Sequence, residues 1–400
     1  MLLTNRQFPL ELLQQSKEAR LDYYEKYTMA HPHLDEALDM LKPIIRHSGE
    51  SRVIFIFGPT GVGKTKLRLL AEKWVIEEVF AALETDRGCI PVGSVEVVLP
   101  KSGLFNAKDH LKRCLFALDE PKELVDRKID YGVRGIRRNN DGQIVIESRI
   151  LETDLGWALE QALKHRHPKI FFIDEAQDML AVASGRKLTD APEAIKSLAN
   201  RTKVLHGLLG TYELLTLHDI GEQLSRRSVY IHIPRYDVKF TEDREIWQDV
   251  VWNFQLHIPT VEEPDFSSIW EYLYERSLGC VGILKNWFIN ALADALDEGA
   301  NTITLKHLER RALSVGQCLN ILKKIKEGEK RYTEIEGEVE TLRKDLGFGL
   351  EPTSRTELRS KVAPKPTEEM TDSQGGKKNN KNVGQRRPKR DRVGVKRNVR

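Results

Sequence analysis

One stretch of this 400-residue chain constrains its fold more than any other: Phe55-Ile-Phe-Gly58-Pro59-Thr60-Gly61-Val62-Gly63-Lys64-Thr65-Lys-Leu67. Gly58 to Thr65 fits the pattern G-x-x-x-x-G-K-[ST]. Glycines at these positions let backbone N–H groups turn inward on phosphates, a lysine reaches the terminal phosphate oxygens, and a hydroxyl holds Mg²⁺. The loop works only where an apolar strand enters it and a helix leaves it, with the positive end of the helix dipole facing the phosphates. Residues 53–57 supply the strand and a helix is predicted from 66 to about 80. The candidate nucleotide-binding residues are therefore Gly58, Pro59, Thr60, Gly61, Val62, Gly63, Lys64 and Thr65, with Thr65 also a magnesium ligand.

The complement is Lys169-Ile-Phe-Phe-Ile-Asp174-Glu175-Ala176, an apolar run that delivers two acids at its carboxyl end, where open α/β sheets bind ligands. Asp174 is expected to hold magnesium, and Glu175 to orient and polarise an attacking water. No Asn-Lys-x-Asp guanine-reading motif is present, and adjacent acids are unlike the small GTPases, so ATP with Mg²⁺ is the expected cofactor pair. Thr211, at the end of the apolar run 204–209, has two readings: a polar sensor of the γ-phosphate or water, and a simple turn or helix-capping threonine. Arg226 and Arg227 stand just before the run 229–233. Either one could face the γ-phosphate held by a neighbouring subunit, or both could be surface charge.

Around these motifs, short apolar runs at 53–57, 95–99, 170–173, 204–209 and 229–233 alternate with amphipathic helical stretches, the pattern of βαβ units on a buried parallel sheet. The fold class is α/β, a P-loop core with a parallel five-stranded sheet. Residues 1–50 read as a helical approach, broken at His31-Pro32, and 51–240 as the nucleotide core. Within the core, an inserted hairpin or loop at 119–150 is signalled by Asn-Asp-Gly. From 241 the period becomes helical, clearest at 283–296 and 305–313, and a polar helix is expected at 329–346. Residues 347–400 have the composition of a disordered basic tail. Eleven Lys/Arg against Asp391 in the last 24 residues give the tail +10 of the chain's net +3, so the remainder carries −7. Cys89, Cys114, Cys280 and Cys318 have no CxxC spacing, and no zinc site or disulfide framework is indicated. No run approaches the eighteen apolar residues of a membrane span, and the N-terminal stretch lacks the pattern of a secretory signal, so a cytoplasmic protein without membrane contact is expected.

A P-loop, an Asp-Glu strand, a polar strand end, an arginine pair and a helical lid together resemble an AAA+ ATPase. Within that superfamily, Arg20-Leu-Asp-Tyr-Tyr-Glu-Lys-Tyr, His31-Pro-His-Leu, Phe171-Phe-Ile-Asp-Glu-Ala-Gln177, Leu208-Leu-Gly-Thr-Tyr-Glu213 and Leu224-Ser-Arg-Arg-Ser-Val-Tyr-Ile-His-Ile-Pro-Arg-Tyr236 resemble the TnsC/TniB transposition regulators, over roughly residues 15–320. The resemblance implies an ATPase that assembles with itself as a ring or filament on double-stranded DNA and does not cut it. Such a regulator links a target-selecting protein, a CRISPR effector or a TniQ-like adaptor, to transposase subunits. It also implies a basic second sensor in the lid. Here Gly282-Ile-Leu-Lys285 offers Lys285 where the family usually has Arg, and a lid-surface lysine fits the residue equally well.

By the same resemblance, DNA contacts are expected at Lys101 and Ser102 after the second strand and at Lys112 and Arg113 on the following helix. Arg134, Arg137 and Arg138 could add phosphate contacts, since backbone neutralisation needs charge rather than fixed spacing; each is also an ordinary solvated charge. The basic tail fits an arm on DNA, an arm on an acidic partner, or a solubilising end, and 346–359 a transposase-docking segment. Two rival functions remain. A protein-remodelling AAA+ enzyme would carry an aromatic pore loop, but residues 98–104 hold none before Phe105. A signalling NTPase switch without DNA would leave the tail unexplained.

Overall fold

A computed structural model of the chain describes residues 6–47, 49, 52–83, 88–119, 131–140, 143–181, 190–216, 228–337, 339–346 and 348. The strand β1 (Val53–Phe57) is completely buried because both of its neighbours are strands and both of its faces carry helices. It pairs in parallel with β6 (Leu205–Gly210) on one side and β7 (Ser228–His232) on the other. Beyond β6 lie β5 (Ile170–Asp174) and the edge strand β2 (Val92–Glu96), giving a five-stranded parallel sheet in the order β2-β5-β6-β1-β7, as expected from the sequence. The period-two alternation of a strand divides the apolar residues between two cores. Val53, Phe55 and Phe57 face one core with Phe171 and Ile173. Ile54 and Ile56 face the other with Ile170 and Phe172. A buried side chain of this size contributes about 2 kcal/mol, which is why the runs are continuous rather than alternating.

The first face is covered by α4 (Ala107–Ala117), α5 (Glu152–Arg166) and α6 (Asp190–Thr202). The second is covered by α2 (Pro32–Arg46) and α3 (Lys64–Leu83). α2 starts where Pro32 removes a donor that a helix start does not need, and buries Leu34, Ala37, Leu41 and Ile45 on one stripe. The shorter α1 (Lys17–Lys26) instead sends Tyr24 into a third core formed by α7 (Thr241–His257), α8 (Trp270–Ser277), α9 (Val281–Asp297) and α10 (Leu305–Arg311). Phe266 and Phe288 stack there at 4.4 Å, and the Trp287 indole N–H donates to the Leu308 carbonyl at 2.8 Å. A two-stranded antiparallel sheet, β3 (Ile136–Arg138) with β4 (Ile144–Ile146), lies between α4 and α5 in the chain.

Two elements differ from their sequence expectation. The second strand is Val92–Glu96 rather than 95–99, and Gly93 explains why the period was hard to see: a Cβ there would lie 2.6 Å from the Phe171 ring. The polar helix expected at 329–346 starts earlier than expected: α11 (Val315–Gly337) and α12 (Val339–Asp345) cover the described residues of that stretch. α11 reaches back onto the core, where Gly328 meets the Tyr212 ring so closely that a Cβ would stand 2.2 Å from it. Arg235 of the Pro-Arg-Tyr phrase is buried and joins the end of β7 to α11 by an ion pair with Glu329 at 2.9 Å. α12 is a separate unit with an Arg343 guanidinium over the Phe348 ring. The expected tail beyond 348, and its docking segment, lie outside the described residues.

Candidate functional site

The P-loop leaves β1 and turns at two glycines in the left-handed region, Gly61 (φ 80°) and Gly63 (φ 104°), where other residues would be strained. Val62 is the buried pin of the loop, and Gly58 packs against the end of β7, where a Cβ would be 2.1 Å from the Ile233 carbonyl oxygen. The helical lid reaches the same loop. The Gly282 N–H at the start of α9 donates to the Gly61 carbonyl at 2.7 Å, and a Cβ on Gly282 would strike that oxygen. Residues 61 and 282, far apart in the sequence, are thus joined at the loop itself.

Lys64 is 7 % exposed, and its ammonium donates to the carbonyls of Gly58 at 3.0 Å and Pro59 at 2.8 Å. Burial pulls its pKa down, while the carboxylates of Glu175 and Asp174 oppose that shift. Thr65 Oγ1 donates to Asp174 Oδ2 at 2.9 Å, bringing the first turn of α3 against the end of β5. The Asp174 Oδ1 accepts from the backbone N–H of Glu175 at 3.0 Å. A hydroxyl and a carboxylate, both hard oxygen donors, converge beside a buried ammonium and a glycine-rich loop. This donor set fits magnesium and the phosphates of a nucleotide, with Thr65 and Asp174 as the residues that would hold the metal. When bound, the metal supplies neutralisation of phosphate charge.

Two residues that sequence reading passed over belong to this cluster. Arg68 Nε lies 3.3 Å from Asp174 Oδ2, and its guanidinium also binds Glu72 and Ser94. It stands three residues after Thr65, one helical turn further on the same face, so the face of α3 carried the signal. Gln177 bridges Glu175 Oε2 at 2.5 Å and the backbone N–H of Thr211 at 3.1 Å. Burial, with the carboxylates of Glu175 and Glu213, pushes the neighbouring Asp178 carboxyl up.

Thr211 is thus linked to Glu175 through Gln177, and its hydroxyl accepts from the Glu213 N–H at 3.4 Å as the N-cap of the 3-10 turn Tyr212–Leu215. That hydrogen bond is the one expected of a capping threonine. A cavity of about 640 Å³ opens there, lined by Pro59, Thr60, Thr211 and the α11 residues Lys324 and Arg331 among others. Lys285 points elsewhere: its ammonium donates to the carbonyls of Glu25 and Tyr27, both at 2.7 Å, closing the C-terminal end of α1. Arg226 and Arg227 lie outside the described residues.

The strand order, the glycine loop and the acid pair are those of a P-loop AAA+ fold. Residues 46–218 match the family model described as an AAA domain. No curated protein matches significantly. Among solved structures, similar chains include the Aeropyrum pernix ORC2 protein in its ADP form, with 15 % identity, 74 % of this chain and 72 % of that chain covered, and a TM-score of 0.47. The Aeropyrum pernix ORC1 protein in complex with DNA has 16 % identity, coverage of 74 % and 68 %, and a TM-score of 0.47. Domain III of the Thermotoga maritima replication initiation protein DnaA has 16 % identity, coverage of 72 % and 95 %, and a TM-score of 0.42.

The residues expected on DNA occupy adjoining elements within the matched stretch 46–218. Lys101 and Ser102 are exposed in the turn after β2, and Lys112 and Arg113 lie on α4. Arg134, Arg137 and Arg138 lie on or beside the β3–β4 hairpin. The hairpin side meets α4 through Lys108, which donates to the Ser148 carbonyl at 2.9 Å. Several of these are engaged within the chain: Arg113 pairs with Asp109 and Arg138 with Asp119, each at 2.7 Å, and the Ser102 hydroxyl accepts from the Leu104 N–H at 3.4 Å. No helix among the described residues is long and apolar enough to cross a membrane.

Proposed function

We propose that this protein is an ATP-dependent regulator of DNA transposition of the TnsC/TniB kind, acting in the cytoplasm and assembling with itself on double-stranded DNA. Holding ATP builds the assembly and hydrolysis releases it, and the assembly links a target-selecting protein to the transposase. The observation that carries the ATPase half is the convergence of Lys64, Thr65, Asp174, Glu175 and Thr211 at one end of the sheet. In the proposed hydrolysis Glu175 accepts a proton from water as that water attacks the γ-phosphorus, and the bond to the ADP oxygen breaks. Lys64 binds the β and γ oxygens, and Thr211 senses the γ-phosphate. Arg226 or Arg227 of an adjacent copy would complete the site.

The DNA half is supported by the exposed positive residues around α4, the turn after β2 and the hairpin, together with the resemblance carried by the Leu-Leu-Gly-Thr-Tyr-Glu and Arg-Arg phrases. A remodeller of polypeptides would present an aromatic in the same turn. Phe105 instead packs at 5.6 Å from the His110 ring, and its backbone N–H is bonded to the Ala181 carbonyl at 2.6 Å. The test is fluorescence anisotropy of a labelled duplex at low salt. Binding should be at least about tenfold tighter with a non-hydrolysable ATP analogue than with ADP, and should weaken steeply as salt rises. Equal affinity in both nucleotide states would remove ATP control from the account.

A further inference from the structure

Gln177 lies two residues beyond Glu175, at the start of the 3-10 segment Ala176–Leu180 that follows β5. Its amide spans two elements. Nε2 donates to Glu175 Oε2 at 2.5 Å, and Oε1 accepts from the backbone N–H of Thr211 at 3.1 Å. The chemistry of the partners assigns the two ends of the amide: a backbone N–H must face the oxygen, and a carboxylate must face the nitrogen. A side chain here has to offer a donor to one partner and an acceptor to the other at this reach, which glutamine does and glutamate, leucine or methionine does not.

The surroundings are shaped to this bridge. Gly210 ends β6 directly against the amide, and a Cβ there would stand 2.3 Å from Gln177 Oε1. Glu175 itself has a left-handed backbone (φ 51°), which lets the chain turn sharply between β5 and the 3-10 segment. That conformation costs a non-glycine residue about 1 kcal/mol or more, so its side chain is set by a turn that is itself held in place. Asp174 binds the Glu175 backbone N–H at 3.0 Å, and Gln177 binds its carboxylate.

We infer that Gln177 is a positioning residue that fixes the orientation of the Glu175 carboxylate and ties it to Thr211, so that the base and the sensor strand share one hydrogen-bonded register. The inference deepens the proposed function and rests on its assignment of Glu175 as the base. It locates the link between the strand that would sense the γ-phosphate and the acid that would use the water in a single side chain.

The experiment compares Gln177→Leu and Gln177→Glu in the full chain, each in the wild-type and the Glu175→Gln background. Steady-state ATP hydrolysis, equilibrium binding of a non-hydrolysable ATP analogue and melting temperature are measured for each protein. Leucine removes both hydrogen bonds at similar volume. Glutamate keeps an acceptor for the Thr211 N–H but sets a carboxylate against a carboxylate. Both should lower kcat by about 10- to 100-fold while KM and analogue affinity stay within about threefold. In the Glu175→Gln background neither should lower kcat further, because the residue they position no longer acts. A structural role would move melting temperature and binding in every background, so this non-additivity separates the two. Near-wild-type kcat in both Gln177 variants, or losses that multiply with Glu175→Gln, would overturn the inference while leaving the ATPase reading intact. Wild-type hydrolysis by Glu175→Gln alone would remove both.

Discussion

Lys64→Ala is expected to abolish nucleotide binding, with a loss of ATP affinity of at least about 100-fold, or roughly 2.7 kcal/mol. The lysine is buried inside its own loop and binds two loop carbonyls, so its ammonium lies where the loop curls and where phosphate oxygens would collect. Alanine removes the only ammonium that the P-loop pattern places there and leaves the two carbonyls without that donor. The fold should survive, because Lys64 belongs to none of the three apolar cores. Titration with a fluorescent ATP analogue, with melting temperature as a control, checks this. Affinity within about threefold of wild type in a folded variant would contradict the reading of the loop.

Glu175→Gln separates holding ATP from splitting it. The substitution keeps the size of the side chain and removes its ability to take a proton, so hydrolysis should fall by about 100- to 1000-fold while ATP affinity changes little. Its hydrogen bond from Gln177 can persist to the new amide oxygen, so the surrounding geometry is not expected to collapse. Under the proposed cycle this variant holds ATP and stays assembled, and its DNA complexes should outlive those of the wild type in ATP. Phosphate release and complex lifetime on duplex DNA are the two readouts. Undiminished hydrolysis would take Glu175 out of the role of base.

The five-stranded sheet was legible because the central strands are continuous apolar runs buried on both faces, a pattern that local composition shows directly. The register of β2 was less so. It is an edge strand with a glycine set against Phe171, and its outward residues are free to be polar. The chain reads at 95–99 like a better strand than the one it forms. α11 was missed as a core-packing helix for a related reason: most of its surface is polar, and its contact with Tyr212 is made through Gly328, which has no side chain to signal burial.

At the site, the P-loop and the acid pair were legible because their spacing is dictated by the phosphate chemistry. Long-range partners were not. The ammonium of Lys285 binds carbonyls at residues 25 and 27, more than 250 positions away. Gln177 and Thr211 meet only because β5 and β6 are neighbours in the sheet, a juxtaposition that the sheet order creates and the linear sequence hides.

The most direct test of the central claim is negative-stain microscopy of the wild-type protein mixed with long duplex DNA at low salt, with a non-hydrolysable ATP analogue, with ADP, or without nucleotide. The account predicts rings or filaments along the DNA with the analogue and their absence with ADP or without nucleotide. Assembly that ignores the nucleotide, or failure to assemble on DNA with the analogue, would contradict it.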